Sequence, residues 1–207
     1  MPKAADPAVR RALVERAAEM LARREAVTLR SLVAGTGVST MAVYTHFDGM
    51  DGLWRAVRQE GFTRLAARLA ELRPTADPVR DLAALGAGYL GHALEHPDLY
   101  RAMFDVAADL EDEQAAYDTF GLLIGAVARA QAAGRFSPDV DPAGVATGTW
   151  VFGHGLALLG IGGLLPATSL AGLATADAEA RYVAAGDDLA ACRRSIRNGW
   201  RSFAPLA

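Results

Sequence analysis

The chain has 207 residues, 22% of them charged and 52% hydrophobic, with a formal net charge of −3. That balance is enough to bury a core and excludes disorder as the default. The single Cys192 excludes a disulfide framework and a cysteine-built zinc site, and fits a reducing compartment.

The opening Met-Pro-Lys-Ala-Ala-Asp-Pro carries charges where a secretion signal carries its apolar stretch, so a cytoplasmic location is expected. Charge is spread unevenly. Residues 1–58 hold nine Lys/Arg against six Asp/Glu and carry +3, whereas residues 59–207 carry −6. A mildly basic end on an acidic body suits an anionic partner for that end.

In chain order the elements read as helices. Asp6 followed by Pro7 is an N-cap and first-turn signal, and the helix behind it aligns Leu13, Ala17, Met20 and Leu21 on one face. Thr28 caps a second helix carrying Leu29, Leu32 and Val33, which Gly37 breaks. Ser39 caps a third, Thr40 to Phe47, and Asp48-Gly49 punctuates again. A long helix then runs from about Met50 to Arg73, with Leu53, Val57 and Leu65 inward and Pro74 closing it. Further helices are expected at about 78–96, 98–105, 115–133, 142–165 and 187–203, separated by Pro97, an acidic stretch at 109–113, Gly134 with Pro138 and Pro142, and Pro166. No run alternates with period two, and no 20–50-residue repeat is present. The fold class is all-α.

From Pro142 to Ala176 no residue is formally charged. The strongly apolar part, Trp150 to Leu165, falls short of the roughly 20 residues that span a bilayer, and it contains His154 and several glycines. A helix buried inside protein is the expectation, and no membrane association.

The three N-terminal helices form a helix-turn-helix pattern. Leu32, Val33, Val38 and Val43 can pack on Leu13–Ala17, leaving Thr40, Met41, Tyr44 and Thr45 on the outward face of a helix that suits the major groove. These residues carry a resemblance. Gly37-Val38-Ser39, then Tyr44-Thr45-His46-Phe47, then Leu53, is similar to the hallmark of the tetracycline-repressor (TetR) family.

The resemblance implies a homodimeric, cytoplasmic repressor. Residues 1–50 would be a DNA-binding domain, with the motif at about 28–47, and residues 51–207 would bind an effector and dimerise. It implies phosphate contacts from Thr28, Ser39, Tyr44 and His46 to a palindromic double-stranded operator, and base-edge contacts from Thr40, Met41, Ala42 and Thr45. Two other readings stand beside these: Tyr44 as a core aromatic, and His46 as a partner of the helix dipole. One departure is Met50, flanked by Asp48 and Asp51, where family members place a phosphate-contacting lysine. Its absence should flatten the salt dependence by about one counterion. Arg10, Arg11, Arg30 and Arg55 are candidate replacements.

In the C-terminal body, Leu189, Cys192, Ile196, Trp200 and Phe203 form a narrow apolar stripe of the kind that pairs helices. It is read as the dimer interface, with packing inside its own subunit as the alternative. His96-to-Phe104 and Trp150-to-Leu156, with His154-Gly155, resemble a subgroup with a Trp/His-Gly type C-terminal domain. A small, mostly apolar effector pocket is expected from Tyr89, His92, Tyr100, Met103, Phe104, Phe120, Trp150 and His154, each of which is equally readable as core.

No catalytic residue, cofactor or metal is expected. The one constellation of another class is His92-x-x-Glu95-His96, which matches an inverted zinc-peptidase motif and would make a small helical hydrolase. Pro97 directly after it leaves His96 at a fraying helix end. A regulator whose body binds a partner protein is a further alternative. The acidic residues Asp105, Asp109, Glu111, Asp112 and Glu113 lack calcium-loop spacing and read as a solvated loop.

Overall fold

The computed structural model describes residues 6–104, 110–112, 114–201 and 203. Among them are ten helices and no strand: α1 (Pro7–Ala22), α2 (Leu29–Val33), α3 (Thr40–Phe47), α4 (Met50–Ala70), α5 (Pro78–Glu95), α6 (Pro97–Met103), α7 (Gln114–Ala132), α8 (Pro142–Ile161), α9 (Ala167–Ala184) and α10 (Leu189–Gly199). The helix starts are chemically marked. The Asp6 carboxylate accepts from the Ala8 amide, Asp141 from Ala143 and Gly144, and Asp188 from Ala191, while Thr28 and Ser31 form a reciprocal capping box.

The chain divides into two compact units, Met1–Arg64 with His96–Ala115, and Leu65–Glu95 with Ala116–Ala207. The boundary expected after residue 50 therefore falls inside the first unit. Leu53 and Val57 of α4 and Leu99 of α6 share one core with Leu13, Ala17, Met20, Leu32, Val43 and Phe47, so cutting at residue 50 would expose that core. Of the acidic residues read as a loop, Asp105, Asp109 and Glu113 lie outside the described residues. Glu111 pairs with Arg10, and the Asp112 amide donates to Gln59 Oε1 at 2.9 Å.

The turn from α3 into α4 leaves almost no freedom. Asp48 sits in the left-handed region at φ 58° and Gly49 at φ 109°. One turn later, a Cβ on Gly52 would stand 1.6 Å from the Phe47 carbonyl oxygen. The α3 C-terminus and the first turn of α4 are thus in backbone contact, which only glycine at 52 permits.

In the second unit α5 is the axis, with α8, α9 and α10 packed around it and nearly every residue from Pro78 to Ala93 buried. The helix α9 was not among the expected elements. Its Ala, Gly and Thr residues favour helix or tolerate it, but they give little polar–apolar contrast from which to read a period.

Polar fasteners close one end of this unit. Arg135 grips Asp187 through Nε and Nη2 at 2.6 and 2.8 Å and reaches Asp77 at 3.2 Å, while the Ser195 hydroxyl donates to Asp77 at 2.6 Å. Asp81 is buried, which alone would raise its pKa. The backbone amide and hydroxyl of Thr75, with Arg129 and Arg80, outweigh that and hold the carboxyl below its ordinary value.

Substituting Gly52→Ala is expected to destabilise the chain by about 1–3 kcal/mol, because backbone and not a flexible side chain must move. The control is Gly86→Ala within α5, where a Cβ meets nothing within 4 Å and helix propensity should stabilise instead. Urea denaturation of both variants checks the opposite signs.

Candidate nucleic-acid interface and ligand cavity

The first unit presents α3 with two chemically different faces. Val43 and Phe47 are sealed in the core, and on the other side Met41 is 65% and Tyr44 50% exposed, with Ser39, Thr40 and Thr45 exposed beside them. Ala42 and His46 are half-buried. The residues expected to face an anionic partner from this helix therefore share one outward surface.

Their hydrogen bonding separates them further. Ser39 makes no side-chain cap bond although it occupies the N-cap position. Thr45 spends its hydroxyl on its own helix, donating to the Met41 carbonyl at 2.9 Å. Thr28 is engaged in the capping box, accepting from Ser31 N at 3.2 Å. The Tyr44 ring lies over Gly49, its Cε1 3.7 Å from where a Cβ would stand, so the α3–α4 turn holds the ring in place.

The cations nearby are unevenly available. Arg10 is paired with Glu111 and stacked 5.3 Å above the Phe47 ring, and Arg58 donates to the Met103 carbonyl at 2.6 Å. Arg11, Arg30 and Arg55 are exposed and make no ion pair among the described residues. Met50 is half-buried, with Asp48 and Asp51 exposed on either side.

Three of the eight residues read as an effector pocket lie in the first unit and five in the second. Tyr100, Met103 and Phe104 belong to the first unit, where Tyr100 and Met103 are fully buried and Phe104 meets Phe62 edge-on at 5.6 Å. Tyr89, His92, Phe120, Trp150 and His154 belong to the second. Four of these five make a chain of contacts. Phe120 packs edge-on against Trp150, Trp150 Nε1 donates to the Tyr89 hydroxyl at 3.1 Å, and that hydroxyl lies 3.3 Å from His154 Nδ1. Either atom of this last pair can be the donor, as the imidazole tautomer decides. Burial lowers the pKa of His154 below 6.5, in keeping with a neutral imidazole.

A cavity among the described residues of the second unit has other residues as its lining. Ala83, Gly86 and Leu90 of α5, Thr149, Phe152 and Gly153 of α8, Asp177, Ala178 and Tyr182 of α9, and Trp200 surround a space of about 30 Å³. That is room for one or two water molecules at most. Small side chains keep it open, and three polar groups face it: Thr149, the buried Tyr182 phenol, and Asp177, which Arg181 holds through Nη2 at 2.9 and 3.0 Å. Of the residues around this space, only Trp200 was singled out from the sequence, and as part of the last helix's stripe. The run of Ala and Gly at helical spacing was the available signal.

The apolar stripe of the last helix turns inward. Cys192 and Ile196 are buried, a Cβ on Gly199 would stand 2.6 Å from the Arg80 carbonyl, and Trp200 and Phe203 are half-buried in edge contact at 4.9 Å. Only Leu189 of the five stripe residues is exposed. Cys192 and Ile196 thus pack inside their own subunit, against α5 and α9, as in the alternative reading of the stripe. Burial, followed by the charge of Asp187, pushes the Cys192 thiol up to about 12, which leaves it inert.

A different surface is open. The helix α8, expected to be buried, buries only Ala146, Leu156 and Ala157. Trp150, Val151, Leu158 and Leu159 stand out from it, and Leu173 from α9. By length and composition alone α8 suffices to cross a membrane, yet it packs against α5 and α9.

The hydrolase motif is taken apart by its surroundings. Glu95 is clamped by both terminal nitrogens of Arg68, His92 is buried in α5, and His96 is the N-cap residue of α6. Among the described residues no three His, Cys, Asp or Glu side chains gather as a metal site.

Residues 82–185 match the description "Tetracyclin repressor-like, C-terminal domain". No curated protein matches the sequence. Among solved structures, a protein of unknown function from Rhodococcus sp. RHA1 is 27% identical, with a TM-score of 0.75 over 90% of this chain and 100% of its own. RolR in complex with resorcinol is 17% identical, with a TM-score of 0.64 over 97% of each chain. A gamma-butyrolactone receptor is 21% identical, with a TM-score of 0.65 over 94% of this chain and 95% of its own.

The lowered pKa of His154 makes a pH prediction. As pH falls below about 6.5 the unfolded chain takes up this proton before the folded chain does, so stability should drop from pH 7.5 to 5.5. Replacing His154 by Gln should remove that part of the drop, and denaturant titrations of both proteins at the two pH values read the difference.

Proposed function

This chain belongs to the tetracyclin repressor-like family, and from that premise we propose that it is a homodimeric, ligand-responsive transcription regulator that binds a palindromic DNA operator. The observation that carries the DNA reading is the two-faced α3, with Val43 and Phe47 in the core and Ser39, Thr40, Met41, Tyr44 and Thr45 outward. A helix held this way fits the major groove, with its first turn and the Ser39 hydroxyl toward phosphates. Arg11, Arg30 and Arg55 supply the cationic contact that Met50 does not.

The second subunit docks on α8 and α9. An exposed face bearing Trp150, Val151, Leu158 and Leu173, in a stretch without a formal charge from Pro142 to Ala176, supports a second copy of the chain there. The effector enters the second unit at the cavity among α5, α8, α9 and Trp200, beside the Tyr89 ring that abuts Gly153. RolR, whose structure holds resorcinol, and the gamma-butyrolactone receptor point to a compact, mostly apolar ligand with a few polar groups. Since the space is so small, the effector must prefer a state in which these helices part, and it acts by shifting the population toward that state. The unbroken α4, which starts in one unit and ends in the other, is the proposed lever. No catalytic step forms part of this reading.

Two experiments test it. Genomic fragments captured by the purified protein and footprinted at two salt concentrations should yield a short palindrome whose affinity falls with salt, and Tyr44→Ala should abolish protection while the dimer persists. Absence of any enriched palindrome would count against the regulator reading. For the dimer, Val151→Glu on the face where Val151 is 57% exposed should convert the protein to monomers in analytical ultracentrifugation, whereas Leu189→Glu on α10 should not.

A further inference from the structure

Building on the DNA-binding reading above, we infer that α3 reads its operator through thymine methyl groups, with Thr45 and Met41 as the specificity-determining residues. The sequence of α3, Thr-Met-Ala-Val-Tyr-Thr-His-Phe, contains no Arg, Lys, Asn, Gln, Asp or Glu. It therefore lacks the bidentate partners of guanine and adenine and the carboxylates that pair with cytosine. What remains on the outward face is decided by hydrogen bonding. The Thr45 hydroxyl gives its one proton to the Met41 carbonyl at 2.9 Å, so as a donor it is used within the helix, and this exposed side chain offers a partner its methyl and the acceptor side of the oxygen.

Met41 lies one turn earlier on the same face, 65% exposed, and adds a thioether methyl; the Ala42 methyl lies alongside, half-buried. A contiguous patch of methyl groups on a major-groove helix has one apolar counterpart on the base edges, the C5-methyl of thymine. Ser39 and Thr40 hydroxyls serve phosphates and either base, which fixes register without selecting sequence.

The test begins by selecting a high-affinity duplex from a random-sequence pool with the whole protein. Each thymine in a half-site is then replaced by deoxyuridine, which removes the methyl and nothing else. At least one position per half-site should lose about fourfold in affinity, the effect of one buried methyl group, and symmetric replacement should lose about fifteenfold. Thr45→Ser keeps the hydroxyl and its back-bond while removing the protein methyl. It should weaken the thymine duplex by a similar factor and leave the deoxyuridine duplex unchanged. Uniform affinity across all deoxyuridine duplexes, or equal weakening of both duplexes by Thr45→Ser, overturns the methyl readout while leaving DNA binding intact. Failure to select any duplex would instead overturn the DNA-binding reading on which it rests.

Discussion

Backbone contact between the end of α3 and the start of α4 governs what the first unit can present. The Phe47 carbonyl oxygen lies where a side chain at Gly52 would begin, and the chain reverses between them through two left-handed residues, Asp48 and Gly49. With that junction closed, α4 can put Leu53 and Val57 into the core that holds Phe47 and Val43, and the opposite side of α3 has nowhere to go but solvent. The same turn seats the Tyr44 ring over Gly49. A face assembled from backbone contacts is rigid before any partner arrives, and rigidity of this kind lowers the ordering cost of binding.

The second unit is organised around a different constraint, the nearly complete burial of α5. Surrounding one helix with α8, α9 and α10 takes Cys192 and Ile196 of the α10 stripe into the unit's own core. Charged groups fasten the end where the loops meet: Arg135 joins Asp187 and Asp77, and Asp81 collects Thr75, Arg80 and Arg129. Away from those fasteners α8 and the first half of α9, up to Ala176, carry no formal charge and are partly apolar on the surface. The unit is thus pinned at one end and left with small residues and a narrow void among α5, α8 and α9, a region that can open without breaking an ion pair of the Arg135 and Asp81 fasteners.

Legibility in the sequence followed the strength of local chemistry. Helix starts at Asp6-Pro7, Thr28 and Pro142 were readable because a start signal needs only neighbours along the chain. The three-helix motif was readable because its turn residues and its apolar positions are close together, and the inward placement of Leu53, Val57 and Leu65 follows from spacing alone. The α9 helix escaped because its first ten residues are Ala, Gly, Thr, Ser and Leu without a charge, which erases the amphipathic signal. The α10 stripe was read as a subunit interface, with packing inside its own subunit as the alternative, because the α5 residues beside this helix, Ala83 and Arg80, are more than a hundred positions away. Tyr100, Met103 and Phe104 escaped as a group for a related reason: α6 returns to the N-terminal core, which no local pattern announces.

The central claim is that the outward face of α3 is the surface that meets DNA. Amide hydrogen exchange of the full chain, with and without a selected operator duplex, tests it most directly. The account predicts slowed exchange over residues 39–46 and at the first turns of α2 and α4 when duplex is added. Unchanged exchange there, with protection confined to the arginine-bearing outer side of α10, would contradict it.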